Sequence, residues 1–227
     1  MHIFTVNFFI AQADTTESWW STIEKGGTVG YIILSLSLIA CSLAIMHFVQ
    51  IRRSALLPEE QLATLETMLA NGRTQEALEY CVDPSNDTYL TRILATGLLR
   101  YQRSAFGPFE LKSSLEEAGE EQTSRLFRST DAIGLIGTIA PLLGLLGTVL
   151  GMVGAFKTLG TEGANTNAAL AGNISEALVT TMLGLVLAIP CVALFSFFRN
   201  RIEGLSSEAS SEIERLVLHL EEAQGTK

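Results

Sequence analysis

Charged side chains are scarce in this sequence. Asp, Glu, Lys and Arg make up 17% of its 227 residues, against roughly a quarter in soluble domains. The deficit is concentrated: none of the four occurs in 26–51 or 132–156, and only Glu176 occurs in 163–198. About 20 apolar helical residues cross the hydrocarbon core of a bilayer. The sequence therefore predicts an all-α membrane protein with three transmembrane helices.

The sequence also lacks the residue sets of common catalytic and metal sites. Its three cysteines form no CxxC, its three histidines are far apart, and no HExxH occurs. The glycine-rich run GLLGTVLG lacks the Lys-Ser/Thr of a phosphate-binding loop. The net charge of −9 is unsuited to nucleic acid, which needs a basic patch. We therefore expect no enzyme activity, cofactor, metal, disulfide or nucleic-acid partner.

Arginines predict the orientation, because positive charge collects on the cytoplasmic side of the membrane. The arginines that flank the spans would all be cytoplasmic if the N terminus lay outside: Arg52, Arg53, Arg125, Arg128, Arg199 and Arg201. The predicted segments are a periplasmic N-terminal segment (1–27), span 1 (28–50), a cytoplasmic helical region (51–130), span 2 (131–156), a periplasmic loop (157–171), span 3 (172–198) and a cytoplasmic amphipathic helix (199–227).

Two features near span 1 allow further expectations. Residues 1–13 end in Ala-Gln-Ala, so they form either a cleaved signal peptide or an interfacial helix that leads to Trp19 and Trp20. Between its end residues Thr28 and Gln50, the polar content of span 1 is Ser35, Ser37 and Ser42, besides His47 near its cytoplasmic end. We expect this span to face lipid and His47 to lie at the interface.

The polar segments have helical patterns. A helix after Pro58 should end at Asn71-Gly72, and further helices are predicted at 74–82 and 86–105. No breaker separates Phe109 from span 2, which predicts one continuous helix over 109–156. The tail has apolar residues at three- and four-residue steps: Ile202, Leu205, Ala209, Ile213, Leu216 and Leu220. Span 3 should therefore continue as an amphipathic helix, packed most simply on the helix before span 2.

Span 2 has a face of small residues. Gly144, Gly147, Gly151 and Gly154 follow at steps of 3, 4 and 3, and Ala140 and Ala155 extend the face. Helices in lipid associate where small residues let their backbones approach. This face could meet another subunit or a helix of the same chain. Pro141 should bend the span, because it removes a backbone hydrogen bond.

Span 3 has a small, partly polar strip with steps of four residues: Gly172, Glu176, Thr180, Gly184 and Ala188. Such a strip should face protein or water. Thr148 lies 17 residues from Asp131, the cytoplasmic flank of span 2, and Thr181 lies 18 residues from Arg199, the cytoplasmic flank of span 3. The two hydroxyls should therefore lie at similar depths in the membrane. Each could instead bond to its own backbone. Glu176 is either functional or a helix cap near the outer interface.

These spans resemble a known family. The segments APLLGLLGTVLGM at 140–152 and ISEALVTTMLGLVLAIP at 174–190 resemble the second and third spans of the MotA/TolQ/ExbB proton-channel family, and NGRTQEALEYC at 71–81 resembles its first soluble helices. Three spans favour the ExbB/TolQ branch, because MotA has four. The resemblance identifies the chain as a member of this family, in the bacterial inner membrane.

The resemblance implies a homo-pentamer around a pore that holds ExbD- or TolR-like single-span subunits with a membrane aspartate, and a TonB- or TolA-like protein beyond them. By resemblance, Thr148 and Thr181 line the pore and Glu176 is the family's span-3 glutamate. With Thr180, which shares the strip of Glu176, these residues form the expected proton pathway. The expected function is the channel subunit of a motor driven by the proton motive force. The alternative is a passive membrane scaffold; a solute transporter is disfavoured, because inverted repeats are lacking.

Overall fold

The computed structural model describes residues 26–103, 108–162 and 167–225. The stretch 1–13, Trp19 and Trp20 lie outside the described residues. Within the described ranges the regular structure is helical and contains no strand. Its α-helices are α1 (Gly27–Gln50), α2 (Arg53–Leu56), α3 (Glu59–Ala70), α4 (Thr74–Val82), α5 (Tyr89–Arg103), α6 (Pro108–Glu162) and α7 (Asn167–Gly225), with a 3-10 turn at Pro84–Asn86.

Three of these helices, α1, α6 and α7, are long and apolar enough to cross a membrane. The all-α fold with three candidate spans is therefore confirmed. As predicted, α6 and α7 are continuous over 55 and 59 residues and combine an apolar span with a polar segment. Pro141 and Pro190 lie inside these helices without ending them. Proline is tolerated inside membrane helices, because neighbouring helices can satisfy the backbone groups that it leaves without a hydrogen bond.

The short helices follow local signals. Helix α3 ends at Ala70 with Asn71 as its C-cap, and Gly72 has a φ of +68°, the left-handed conformation that glycine adopts at little cost. Asp83 accepts hydrogen bonds from the backbone N–H and the hydroxyl of Ser85 at 2.9 and 2.8 Å. This cap belongs to the 3-10 turn, so α5 begins at Tyr89 rather than near the predicted residue 86.

The chain divides into two packing units. The first unit comprises Ile136–Cys191 with the described residues up to Ala40, and the second comprises Cys41–Leu135 with the residues from Val192 onward. In the second unit the predicted apolar stripe of α7 is buried throughout: Ile202, Leu205, Ala209, Ile213, Leu216 and Leu220. This burial confirms the amphipathic tail.

A cluster of three hydroxyl groups joins α5, α6 and α7 in the second unit. The hydroxyl of Tyr89 lies 2.8 Å from Thr123 Oγ1 and 3.2 Å from Ser206 Oγ, and the latter two atoms are 2.8 Å apart. Thr123 donates its own proton to Gly119 O at 2.7 Å. Thr123 therefore accepts from its two neighbours in this hydroxyl cluster, and α7 packs on the segment of α6 before the span, as predicted.

Helix α1 differs from the expectation in two ways. Most of its large apolar side chains are exposed, but Val29, Ile33 and Ala40 are buried, so one side packs on protein. The side chain of His47, the expected interfacial residue, is fully buried within the second unit. Its contacts are with backbone oxygens and an aromatic ring, which leave no pattern in a sequence.

Candidate functional site

The glycine face of α6 packs against α7 of the same chain, within the first unit. A Cβ built on Gly144 would lie 2.9 Å from Thr181 Cα, and one on Gly151 would lie 2.8 Å from Asn173 O. A Cβ built on Gly184 of α7 would lie 2.5 Å from Ala140 O. These neighbours are backbone atoms, so the two helices are in backbone contact. Of the two predicted roles for the glycine face, the structure shows packing within the chain.

Not every small residue of the two predicted strips takes part in this contact. Ala140, Ala155 and Ala188 are buried. By contrast, a Cβ on Gly154 would meet only ordinary contacts of 3.4 Å or more with the Asn173 side chain, and one on Gly172 would meet nothing within 4 Å. The close approach is therefore centred on the middle of the spans.

Thr180 and Thr181 occupy different positions in this contact. Thr180 is buried against Gly147, and its hydroxyl donates to Ala177 O at 2.8 Å on its own helix. The Thr181 hydroxyl donates across the helix pair to Gly144 O at 3.0 Å. Thr181 is the one threonine of the predicted set whose hydroxyl bonds from one span to the other.

Thr148 is half-buried and donates to Leu145 O at 2.6 Å. The two hydroxyls bond to the carbonyls of successive residues, Leu145 and Gly144, whose levels along the helix differ by about 1.5 Å. The sequence placed them at nearly the same depth. Both hydroxyls donate their proton to a carbonyl and leave oxygen lone pairs, so each needs a rotation to donate to another group.

Glu176 lies beside the beginning of α1. A Cβ built on Gly27 would come 2.0 Å from a carboxylate oxygen of Glu176, and Gly27 has a φ of +55°. The carboxylate is half-buried next to the first turn of a helix, where the helix dipole favours negative charge. Glu176 therefore faces span 1, whereas Thr180 and Thr181 face span 2. The structure does not bring all the predicted site residues together in one cavity.

Sequence reasoning missed Asn173. Its amide nitrogen donates to Thr158 Oγ1 at 3.3 Å, and its backbone oxygen would lie 2.8 Å from a Cβ on Gly151. Asn173 lies one residue after Gly172 and outside the four-residue strip, so the spacing gave no reason to select it. Its polar side chain in a span was the available signal.

The paired spans can offer hydroxyls and one carboxylate. The sequence has no other acid between Glu162 and Arg199, and none between Asp131 and Glu162. Among the described residues, no group of three or more His, Cys, Asp or Glu is placed to hold a metal ion. This arrangement can stabilise a charged or protonated group brought by another chain more readily than it can transfer protons by itself.

Comparison with known proteins agrees with these features. Residues 85–211, more than half of the chain, match the model of the MotA/TolQ/ExbB proton channel family. The ExbB protein of Pseudomonas putida is 31% identical over 78% of this chain and 51% of its own length, and the TolQ protein of Pseudomonas aeruginosa is 27% identical over 83% and 86%. The putative ExbB-like 3 protein of Synechocystis is 34% identical over 47% and 53%.

The chain spans about half the length of the ExbB and ExbB-like relatives named above. Among solved structures, Campylobacter jejuni MotAB aligns with a TM-score of 0.44 and 18% identity, over 86% of this chain and 77% of the other. The family model covers both spans that carry the site. The chain belongs to the MotA/TolQ/ExbB proton channel family.

Proposed function

We propose that this chain is the channel-forming stator subunit of an inner-membrane motor driven by the proton motive force. Five copies surround the single spans of an ExbD- or TolR-like partner, which acts on a TonB- or TolA-like protein. The N terminus is periplasmic and the C terminus is cytoplasmic. The observation that carries the proposal is the Thr181 hydroxyl bonded to Gly144 O at a backbone-to-backbone contact of two spans, in a chain of a proton-channel family.

The chemistry follows from what these spans lack. A bare carboxylate is costly in hydrocarbon, and the partner's membrane aspartate must pass through an ionised state when it releases its proton. Thr148 and Thr181 stabilise that state by turning their hydroxyls from the carbonyls of Leu145 and Gly144 towards the carboxylate. Each hydrogen bond to a charged group contributes about 1.5–3 kcal/mol.

The driving force is of comparable size. One charge that crosses the membrane potential releases about 2.3 kcal/mol per 100 mV. Two partner helices cannot contact all five equivalent sites in the same way at once. Each protonation step therefore favours a new angular position of the partner helices inside the ring. Glu176, beside the first turn of α1, holds negative charge near the periplasmic entrance and favours proton entry.

Substitution of the threonines tests this function. Thr148→Val and Thr181→Val keep the side-chain shape but remove the hydroxyl, so both variants should assemble with the partner and lose proton-driven work. Serine at either position keeps the hydroxyl and should retain most activity. The assay is growth or transport that depends on the motor, at matched expression. Full activity of the double valine variant would instead favour the passive scaffold, in which the hydroxyls serve only helix packing.

Labelling tests the orientation separately. A single cysteine at Trp20 should react with a membrane-impermeant maleimide added to the periplasmic side, and one at Arg52 should react only after the cytoplasmic side is exposed. The reasoning rests on the arginines that flank the spans. Labelling of residue 20 from the cytoplasm alone would contradict the proposed topology.

A further inference from the structure

The polar segments of α6 and α7 enclose a groove that the proposed mechanism does not use. It lies within the second unit, has a volume of about 750 Å³ and runs along α6 from Lys112 to Phe127. A helix covers this distance of 15 residues in about 22 Å. The floor of the groove is apolar, since one buried side chain comes from each of three helices: Ile93 of α5, Leu115 of α6 and Ile213 of α7.

The shape of the groove suits one face of a helix. Its volume divided by its length gives a mean cross-section of about 34 Å², slightly less than half of the roughly 80 Å² of a helix about 10 Å wide. Gly119 lies in the middle of the groove, and a Cβ built on it would meet nothing within 4 Å. Glycine weakens a helix relative to alanine, and no contact within the chain requires it here. The close approach of another backbone does make use of a glycine.

The rim of the groove is acidic. Glu116, Glu120 and Glu214 are exposed on it, and Lys112 is the one basic residue among the described residues that line it. Lys112 lies 4.0 Å from Glu214, whereas Glu116 and Glu120 take part in none of the ion pairs between described residues. These two glutamates lie one helical turn apart, a spacing at which like charges repel. A basic group from another chain would relieve this repulsion.

The hydroxyl groups in the groove offer acceptors rather than donors. Ser210 donates its proton to Ser206 O at 3.0 Å, and Thr123 donates to Gly119 O at 2.7 Å. Ser206 donates to Thr123 Oγ1, 2.8 Å away. Each of these three protons is therefore used within the chain, and the oxygens keep lone pairs. Ammonium and guanidinium groups have only donors to offer and complement such a surface.

The place of the groove in the chain indicates where such a helix would come from. Phe127, at one end of the groove, lies four residues before Asp131, the predicted cytoplasmic flank of span 2. The groove therefore begins about 6 Å from this flank and runs away from it. A single-span protein has an excess of Lys and Arg within about 15–20 residues of the cytoplasmic end of its span. As a helix this segment is about 22–30 Å long, which matches the groove.

We infer that the groove binds a basic, amphipathic helix of the single-span partner, next to the cytoplasmic end of its span. The apolar face of that helix packs on the floor of the groove, and its Lys or Arg side chains pair with Glu116, Glu120 and Glu214. The inference rests on the proposed function for the existence of this partner. The contact lies outside the spans, so it recruits the partner and does not require proton flow.

Photo-crosslinking of the native complex in cells tests the occupant. p-Benzoylphenylalanine replaces Leu218, an apolar rim residue that is 53% exposed, and mass spectrometry identifies the crosslinked peptide. We expect a peptide rich in Lys or Arg within about 20 residues of the partner's membrane span. A crosslink to a second copy of this chain, to lipid or to a partner segment without basic charge would overturn the inference, and so would the absence of any crosslink.

Filling the groove tests its fit to the partner. Gly119→Leu adds a side chain where a Cβ meets no atom of this chain, so the variant should fold normally and reduce the crosslink about tenfold or more. Gly204→Leu is the matched control, because its Cβ would also meet nothing within 4 Å and it does not line the groove. It should crosslink like the unaltered chain. Equal crosslinking in the two variants would contradict the inference.

Charge reversal tests the acidic rim. Glu116→Lys combined with Glu120→Lys should reduce the crosslink about tenfold or more, and changing the partner's basic residues to Glu should restore it. Glu117→Lys combined with Glu121→Lys is the matched control on the same helix. This pair lies outside the groove and loses its ion pairs with Arg100 and Arg125, so a general effect of charge would appear there as well. An equal loss in the control, or no restoration by the partner, would refute the pairing.

The double variant Thr148→Val with Thr181→Val separates this inference from the proposed function. It should lose proton-driven work and keep the crosslink, because the groove lies outside the spans. Normal work with an unchanged crosslink would refute the role of the threonines and support the groove. Lost work with a crosslink to a second copy of the chain would support the threonines and refute the groove.

Discussion

The backbone contact between α6 and α7 makes a quantitative prediction for Gly184→Ala. The added Cβ would lie 2.5 Å from Ala140 O, whereas ordinary contacts begin at 3.4 Å. The helices must therefore separate by about 0.9 Å, the difference of the two distances, at this point. Overpacking of this kind costs about 1–3 kcal/mol. Alanine is the better helix former by about 1 kcal/mol, so the expected net loss is about 0–2 kcal/mol, and the expected loss relative to a glycine-to-alanine change without a clash is about 1–3 kcal/mol.

Gly172→Ala is the matched control in the same helix. Nothing lies within 4 Å of its Cβ position, so the variant should be as stable as the unaltered chain or slightly more stable. Both can be compared in mixed micelles by titration with sodium dodecyl sulfate, followed by circular dichroism. Gly184→Ala should unfold at a clearly lower denaturant fraction than Gly172→Ala. Coincident unfolding curves would refute the backbone contact described for these spans.

Two further predictions concern single groups. Burial raises the pKa of the Cys81 thiol in α4 to about 12, so N-ethylmaleimide at about pH 8 should leave Cys81 unmodified until the chain is denatured. Peptide mass spectrometry measures the modification, and rapid labelling of the folded chain would contradict the burial. Gly27→Ala places a Cβ 2.0 Å from the Glu176 carboxylate and should displace that carboxylate. At normal expression, motor-dependent growth of Gly27→Ala should fall to the level of the variant Glu176→Gln. Full activity of Gly27→Ala would show that the position of the carboxylate beside α1 is unimportant.

Some of this architecture is readable from the sequence because it depends on local patterns. Three stretches that hold a single charged residue, Glu176, between them predict the spans, and apolar residues such as Leu205 and Leu216 at helical spacing predict the buried face of the tail. Gly72 likewise predicts the end of a helix, since its left-handed conformation is local. These signals act within one element, so they require no knowledge of its neighbours.

The partners of each face could not be predicted in the same way. Glycine spacing defines a face of α6 but does not say that Thr180 and Thr181 of the same chain will occupy it. Glu176 and Gly27 are brought together across most of the chain, and neither residue alone indicates the other. The burial of His47 depends on carbonyl oxygens, which every residue has.

The hydroxyl cluster of Tyr89, Thr123 and Ser206 has a consequence for ionic strength. Its three oxygens lie 2.8 to 3.2 Å apart and bear no charge, so mobile ions do not screen their interaction. Exposed ion pairs in the same unit, such as that of Arg53 with Glu208 at 2.6 Å, weaken as salt rises. The junction of α5, α6 and α7 should therefore persist at salt concentrations that loosen the connections at the surface.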